Sequence, residues 1–229
     1  SFSVDRGETL AIVGESGSGK SVTVQTIMRL IPMPPGEIKN GEILFEGEDL
    51  VKASIERMRE LRGGKIGMIF QDPMTSLNPT IKVGKQIMEG ILIHKNVTKE
   101  EAKQQAIEML RKVGIPKPEE RFHQYPHEFS GGQRQRIGVA RAVAIKPKLI
   151  IADEPVSALD LSVQAQVLNY MKEIQKQFGL SYLFISHDLG VVKHMCDHIS
   201  IMYRGRFVET GEKADIYNNP QHIYTKRLI

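Results

Sequence analysis

The stretch Gly14-Glu-Ser-Gly-Ser-Gly19-Lys20-Ser21 most narrows what this chain can fold into. It fits G-x-x-x-x-G-K-[ST], a phosphate-cradling loop that must leave a strand and enter a helix. The flanks supply that context. Thr9–Val13 is a short apolar run that reads as a buried strand, and Val22 to Leu30 reads as a helix with Val24, Ile27 and Met28 on one face. Gly14, Gly17 and Gly19 let the backbone curl into a concavity of converging N–H groups, to which the new helix adds its positive end. The predicted cradle is Gly14, Glu15, Ser16, Gly17, Ser18, Gly19, Lys20, Ser21 and Val22. In such a loop the lysine reaches the β- and γ-phosphates and the serine hydroxyl a magnesium ion, so the pattern predicts ATP and Mg²⁺ as ligands.

Other strand candidates are Lys65–Phe70, Leu149–Ala152, Tyr182–Ile185 and Ile199–Tyr203. Short apolar runs alternating with helical patterns predict an α/β fold with a mostly parallel sheet. Gly41–Gly47 alternates between glycines and is expected to be antiparallel and peripheral. Arg204-Gly205 is expected to turn a hairpin into Arg206–Glu209, and Ser1–Asp5 to be the end of a strand. Between Pro73 and Ala140 no strand candidate occurs, while Val83–His94 and Lys99–Val113 read as helices. The expected division is therefore a core of residues 1–72 and 141–229 with a helical insertion at 73–140. Thr98 and Glu101 form a capping box, a better account of Asn96-Val97-Thr98 than glycosylation.

With 31 basic and 27 acidic residues the net charge is +4, too balanced to call for nucleic acid. Cys196 is the single cysteine, so no intrachain disulfide can form. No apolar run approaches the roughly 18 residues of a membrane span. Both ends are abrupt, which suggests a piece cut from a longer chain.

Two further clusters carry chemistry. The strand before Asp153-Glu154 ends in paired acids; Asp153 is placed to hold magnesium through water, and Glu154 to polarise an attacking water. Ser130-Gly131-Gly132-Gln133 opens a helix and is a second anion site by its glycines and helix end. Arg134 and Arg136 lie in or near its first turn, where an anion would relieve their conflict with the helix dipole. One chain with two phosphate grips and one P-loop predicts a dimer, each chain's second grip closing over the other's nucleotide.

These residues resemble the ATP-binding cassette ATPases over essentially the whole chain. The P-loop and Asp153-Glu154 look like Walker A and Walker B, and Phe129–Gln133 like the signature motif, with Phe129 where leucine is usual. Gln71 matches the Q-loop glutamine, Ser157–Asp160 the D-loop and His187 the switch histidine. The resemblance implies a P-loop NTPase (RecA-like) core with peripheral antiparallel strands and an inserted α-helical subdomain. It implies an ATP-sandwich dimer with Glu154 as general base, His187 on the γ-phosphate, Gln71 sensing metal and γ-phosphate, and Asp160 communicating across the dimer. Phe70–Pro79 and Asn219–Thr225 resemble the oligopeptide/dipeptide (and nickel) permease branch, apart from Ile223 where that branch has proline. That implies a peripheral subunit at the cytoplasmic face of the inner membrane. Its partners would be a second ATPase subunit, membrane permeases and, indirectly, a substrate-binding protein. Up to Ser130 the chain leans toward one of the branch's two paired subunit types, and from Gln133 toward the other. The family's adenine-stacking aromatic lies upstream of where this chain starts, which predicts weaker ATP binding; the branch's cysteine-rich tail is also missing. Two alternatives stay open: a soluble cassette ATPase acting on nucleic acid or ribosomes, and a nucleotide-binding module without turnover.

Overall fold

A computed structural model describes residues 1–72, 76–157 and 159–229. Its strands are β1 (Thr9–Val13), β2 (Leu44–Phe45), β3 (Glu48–Asp49), β4 (Ile66–Ile69), β5 (Leu149–Asp153), β6 (Ser181–Ser186), β7 (His198–Tyr203) and β8 (Arg206–Glu212). Apart from the β2-β3 hairpin they form one sheet in the order β4-β5-β6-β1-β7-β8. Every pairing in that sheet is parallel except β7 with β8, at the edge.

The parallel strands are apolar at successive residues because both faces are covered. Leu10 and Ile12 enter the core that holds Val24 and Met28; Ala11 and Val13 enter the core on the opposite face. Two tight turns carry the antiparallel pieces. Arg204 and Gly205 (φ 46° and 78°) join β7 to β8, and Glu46 and Gly47 (φ 52° and 83°) join β2 to β3. Paired left-handed residues are what a two-residue hairpin requires. Gly47, expected to bound a strand, is thus the turn itself.

The helix after the P-loop spans Lys20–Ile27, two residues ahead of its expected start. Gly19 at φ 103° leaves Lys20 already helical, and Arg29 at φ 48° closes the other end early. Ser1–Asp5 forms no strand; Phe2 instead sets its ring edge-on to Phe207 at 5.3 Å.

Residues 76–140 contain no strand. Helices Val83–His94, Lys99–Lys112, Pro118–Arg121 and Gly131–Val143 fill the block. The Thr98–Glu101 capping box forms as expected. The last helix runs unbroken through position 140, and its Ile137, Ala140 and Val143 share one buried cluster with Ala11 and Ile150 of the sheet. The expected boundary therefore falls inside a helix rooted in the sheet's own core.

Candidate nucleotide site

Four neighbouring strands, β4-β5-β6-β1, end on the same edge of the sheet and each delivers one functional group. Gln71 follows β4, Asp153-Glu154 ends β5, His187 follows β6 and the P-loop follows β1. Parallel strands align their carboxyl ends, which is where open α/β sheets bind ligands.

In the loop, Gly17 and Gly19 take the left-handed φ values 78° and 103°. Gly14 is required for a different reason: a Cβ there would lie 2.2 Å from the Met202 carbonyl oxygen. Lys20 folds back so that its Nζ donates to the carbonyls of Gly14 (2.7 Å) and Glu15 (3.0 Å). Burial pulls the Lys20 ammonium below its ordinary pKa, against the opposing charges of Glu154 and Asp153. Val22 is 57% exposed, so any part it plays in the cradle falls to its backbone.

Opposite the loop, Ser21 Oγ donates to Asp153 Oδ1 at 3.0 Å. Burial pushes the Asp153 carboxyl above its ordinary pKa; the Ser21 hydrogen bond and Lys20 resist the rise, and the charge of Glu154 adds to it. Glu154 sits at φ 45°, with its N–H given to the Ile185 carbonyl at 3.0 Å. Gln71 Nε2 donates to Glu154 Oε2 at 2.9 Å, and His187 Nδ1 lies 3.1 Å from Glu154 Oε1. A carboxylate only accepts, so that contact requires a proton on Nδ1. Gln71, expected both to serve the base and to sense the metal, has its amide nitrogen on the base, and its Oε1 is a separate acceptor.

The residues fit a magnesium triphosphate. Ser18 Oγ is buried without a partner at the floor of the loop, an orphan that a phosphate oxygen would satisfy. Among the described residues no group of three or more His, Cys, Asp or Glu could hold a metal. Magnesium does not need one: it keeps waters and takes one or two protein oxygens beside substrate phosphates. Ser21 and Asp153, 3.0 Å apart, offer two oxygens of that kind.

Ser130 caps the helix Gly131–Val143 with a capping box, Gln133 N–H donating to Ser130 Oγ (3.3 Å) and Ser130 N–H to Gln133 Oε1 (3.1 Å). These bonds are local to the turn. Arg134 and Arg136 each reach backbone carbonyls within the fold, while the Nε of each is buried without a partner among the described residues. Arg136 donates to the carbonyls of Val113 and Gly114 at 3.4 and 3.2 Å, and Arg134 reaches that of Pro126 at 3.5 Å. Gly132 is pressed on the next helix, since a Cβ there would be 3.0 Å from Val163 Cγ1. Asp160 caps that helix, Leu161–Phe178, by accepting from Val163 N–H at 3.0 Å. Pro73, Met74 and Thr75 of the loop after Gln71, and Ala158 beside Asp160, lie outside the described residues.

One contact at the site has no sequence signal. Tyr224, from the helix Ile223–Leu228, accepts a hydrogen bond from the Glu15 N–H at 3.0 Å, across 209 positions.

A family profile described as "ABC transporter" matches residues 1–157, more than half of the chain. The chain belongs to the ABC transporter family. Among relatives of this cassette, the Bacillus subtilis oligopeptide transport ATP-binding protein OppD is 60% identical over 228 residues, covering all of this chain and 64% of that protein. The dipeptide transport ATP-binding protein DppD of the same organism is 52% identical over 229 residues, covering all of this chain and 68% of the relative. The cassette thus spans about two thirds of the relatives it matches. Among solved structures, a post-hydrolysis dimer of the ATP-binding cassette MJ0796 bound to ADP and Pi superposes with TM-score 0.82 at 25% identity, over 92% of this chain and 88% of that one. The cassette cbiO1 from Clostridium perfringens, part of the complex cbiONQ, superposes with TM-score 0.80 at 27% identity, over 95% and 82% of the two chains. The fold is that of the P-loop cassette ATPases, a mostly parallel sheet with antiparallel pieces and helices.

Proposed function

We propose that this cassette binds MgATP at Lys20 and Ser21, hydrolyses it at Glu154 within a two-subunit sandwich, and so drives uptake of peptides or similar small solutes through a membrane permease. The observation that carries the reading is the carboxylate of Glu154. It is gripped on one oxygen by Gln71 and on the other by His187, on the same sheet edge as Lys20 and the Ser21–Asp153 pair.

Each group has a step. Lys20 exchanges the Gly14 carbonyl for phosphate oxygens, which offsets the desolvation that lowers its pKa. Ser21 and Asp153 hold magnesium, which when bound neutralises phosphate charge and polarises the γ-phosphoryl group. Glu154 takes a proton from a water whose oxygen bonds to the γ-phosphorus. The bond from that phosphorus to the β–γ bridging oxygen breaks, and its electron pair leaves on ADP. Each oxygen of Glu154 has a second lone pair, so Gln71 and His187 can orient the base while it holds the water. His187 also reaches the γ-phosphate, and Gln71 passes the state of the site to the helical insertion at 73–140.

The second grip, Ser130–Gln133, closes over the nucleotide of a partner cassette, identical or a sister, with Asp160 facing the partner. The solved MJ0796 cassette, described as a dimer, supports that arrangement. Peptide uptake is supported by the relatives OppD and DppD, oligopeptide and dipeptide transport ATP-binding proteins. Among the described residues no helix is long and apolar enough to cross a membrane. The resemblance to the permease branch supports a peripheral place for the subunit at the cytoplasmic face of the inner membrane, against permease subunits that a binding protein supplies. The permease contact would involve the Gln71–Pro79 loop and the helical subdomain; Pro73, Met74 and Thr75 of that loop lie outside the described residues.

The test is co-purification with the neighbouring membrane subunits, followed by ATPase assays with and without them. Turnover that rises with the permease is expected. Absence of turnover in both states would overturn the enzymatic reading.

A further inference from the structure

The C-terminal helix meets the nucleotide loop at a single peptide unit. The planar group between Gly14 and Glu15 is bonded at both ends: its carbonyl accepts from Lys20 Nζ at 2.7 Å, and its N–H donates to Tyr224 Oη at 3.0 Å. A trans peptide is rigid and points its C=O and N–H in opposite directions, so whatever fixes one fixes the other. Here the Tyr224 hydroxyl fixes the carbonyl that parks Lys20.

Tyr224 is itself well anchored. It is 9% exposed, and its ring lies against Tyr203 with centroids 4.4 Å apart. Its own N–H donates to His222 Nδ1 at 3.1 Å. The chain just before it is pinned to the edge strand β8, because the N–H groups of Gln221 and His222 donate to the two oxygens of Glu209 at 2.8 and 2.9 Å. A continuous path thus runs from β8 through Tyr224 to the loop. Gly205, in the β7-β8 turn, adds a second tie by donating to the Ser18 carbonyl at 2.8 Å.

We propose that Tyr224 is a positioning residue for the phosphate cradle. It holds the Gly14–Glu15 peptide so that Lys20 waits in place and the remaining loop N–H groups face the incoming phosphates. Tyr224 touches no reacting atom and acts only through that peptide. The consequence for nucleotide affinity rests on the nucleotide-site reading above; the tether itself does not.

The experiment compares wild type, Tyr224→Phe and Tyr217→Phe. Tyr217→Phe is the control, because it removes a hydroxyl of the same kind that donates to the Leu189 carbonyl. Two quantities are read: the rate at which an amine-reactive reagent labels Lys20 in the nucleotide-free protein, and the Kd for a fluorescent ATP analogue with magnesium. With one hydrogen bond removed, Tyr224→Phe is expected to speed Lys20 labelling and to raise the Kd, each by roughly 3- to 10-fold, while Tyr217→Phe changes neither. Faster Lys20 labelling in a series where even wild type binds no nucleotide would uphold the tether and sink the nucleotide reading. Unchanged Lys20 labelling in Tyr224→Phe, even with a lower melting temperature, would overturn the proposal. So would faster labelling with an unchanged Kd in a wild type that binds.

Discussion

The Nδ1 of His187 lies 3.1 Å from Oε1 of Glu154, and that contact divides the work at the site. With Gln71 on the other oxygen, Glu154 is held by donors on both sides. Glu154→Gln would replace one accepting oxygen with an NH₂ that must face a donor. Binding of MgATP is expected to persist, because Lys20 and Ser21 are untouched. Turnover is expected to fall about 10²- to 10⁴-fold, the worth of a positioned general base. Single-turnover hydrolysis measured beside equilibrium binding checks this; near-normal hydrolysis would move the base elsewhere.

Asp153 is expected to trade stability for function. Its pKa is raised in the fold, chiefly by burial, so the ionised form is disfavoured there relative to the unfolded chain. The penalty is full above the folded pKa, shrinks as pH falls through it, and vanishes at the ordinary carboxylate pKa. Asp153→Asn should therefore stabilise the nucleotide-free protein at neutral pH by roughly 0.5–2 kcal/mol while removing magnesium-dependent turnover. Urea melts of both proteins from neutral pH to pH 4 should show the advantage declining with acid. An advantage that grew with acid would refute the assignment.

Two glycines give opposite expectations. Gly14→Ala drives a methyl group against the Met202 carbonyl, backbone that cannot swing aside. It should cost about 1–3 kcal/mol in denaturant unfolding and abolish nucleotide binding as the loop shifts. Gly131→Ala meets nothing within 4 Å. At the first helical position it should be neutral or stabilise by up to about 1 kcal/mol. If both variants unfolded alike, the close approach at Gly14 would not be real.

The sheet and the catalytic edge were legible because both are written locally. Thr9–Val13 reads as a strand in isolation, and Gln71, Asp153, Glu154 and His187 each sit at the end of such a run. The helix Ile55–Gly64 was missed because it buries only Met58 and Leu61; the cap of Ser54 on Arg57 N–H was its one usable signal. The carbonyl partners of Arg134 and Arg136 lie outside their own helix, so no local pattern announces them. Ser1–Asp5 has strand chemistry but forms no strand, its Phe2 packing on Phe207 instead. Tyr224 on Glu15 is the extreme case: no local pattern links a phenol to an amide 209 residues away.

Ser130 offers the cleanest test of the two-subunit cycle. Its hydroxyl caps a helix, so alanine or arginine there loses the bond from Gln133 N–H and should cost about 0.5–2 kcal/mol. Ser130→Ala and Ser130→Arg should share that loss and melt within a few degrees of one another. They should part on assembly. Its bonds are local to the capping box, so nucleotide binding by the single subunit should survive in both variants. An arginine on this exposed turn would fill the space that the partner's triphosphate needs. In a Glu154→Gln background that holds ATP, light scattering should find dimers with Ser130→Ala and monomers with Ser130→Arg. Dimers in equal yield from both would mean that the Ser130 turn lies off the shared interface, and the second grip would have to be sought on another face.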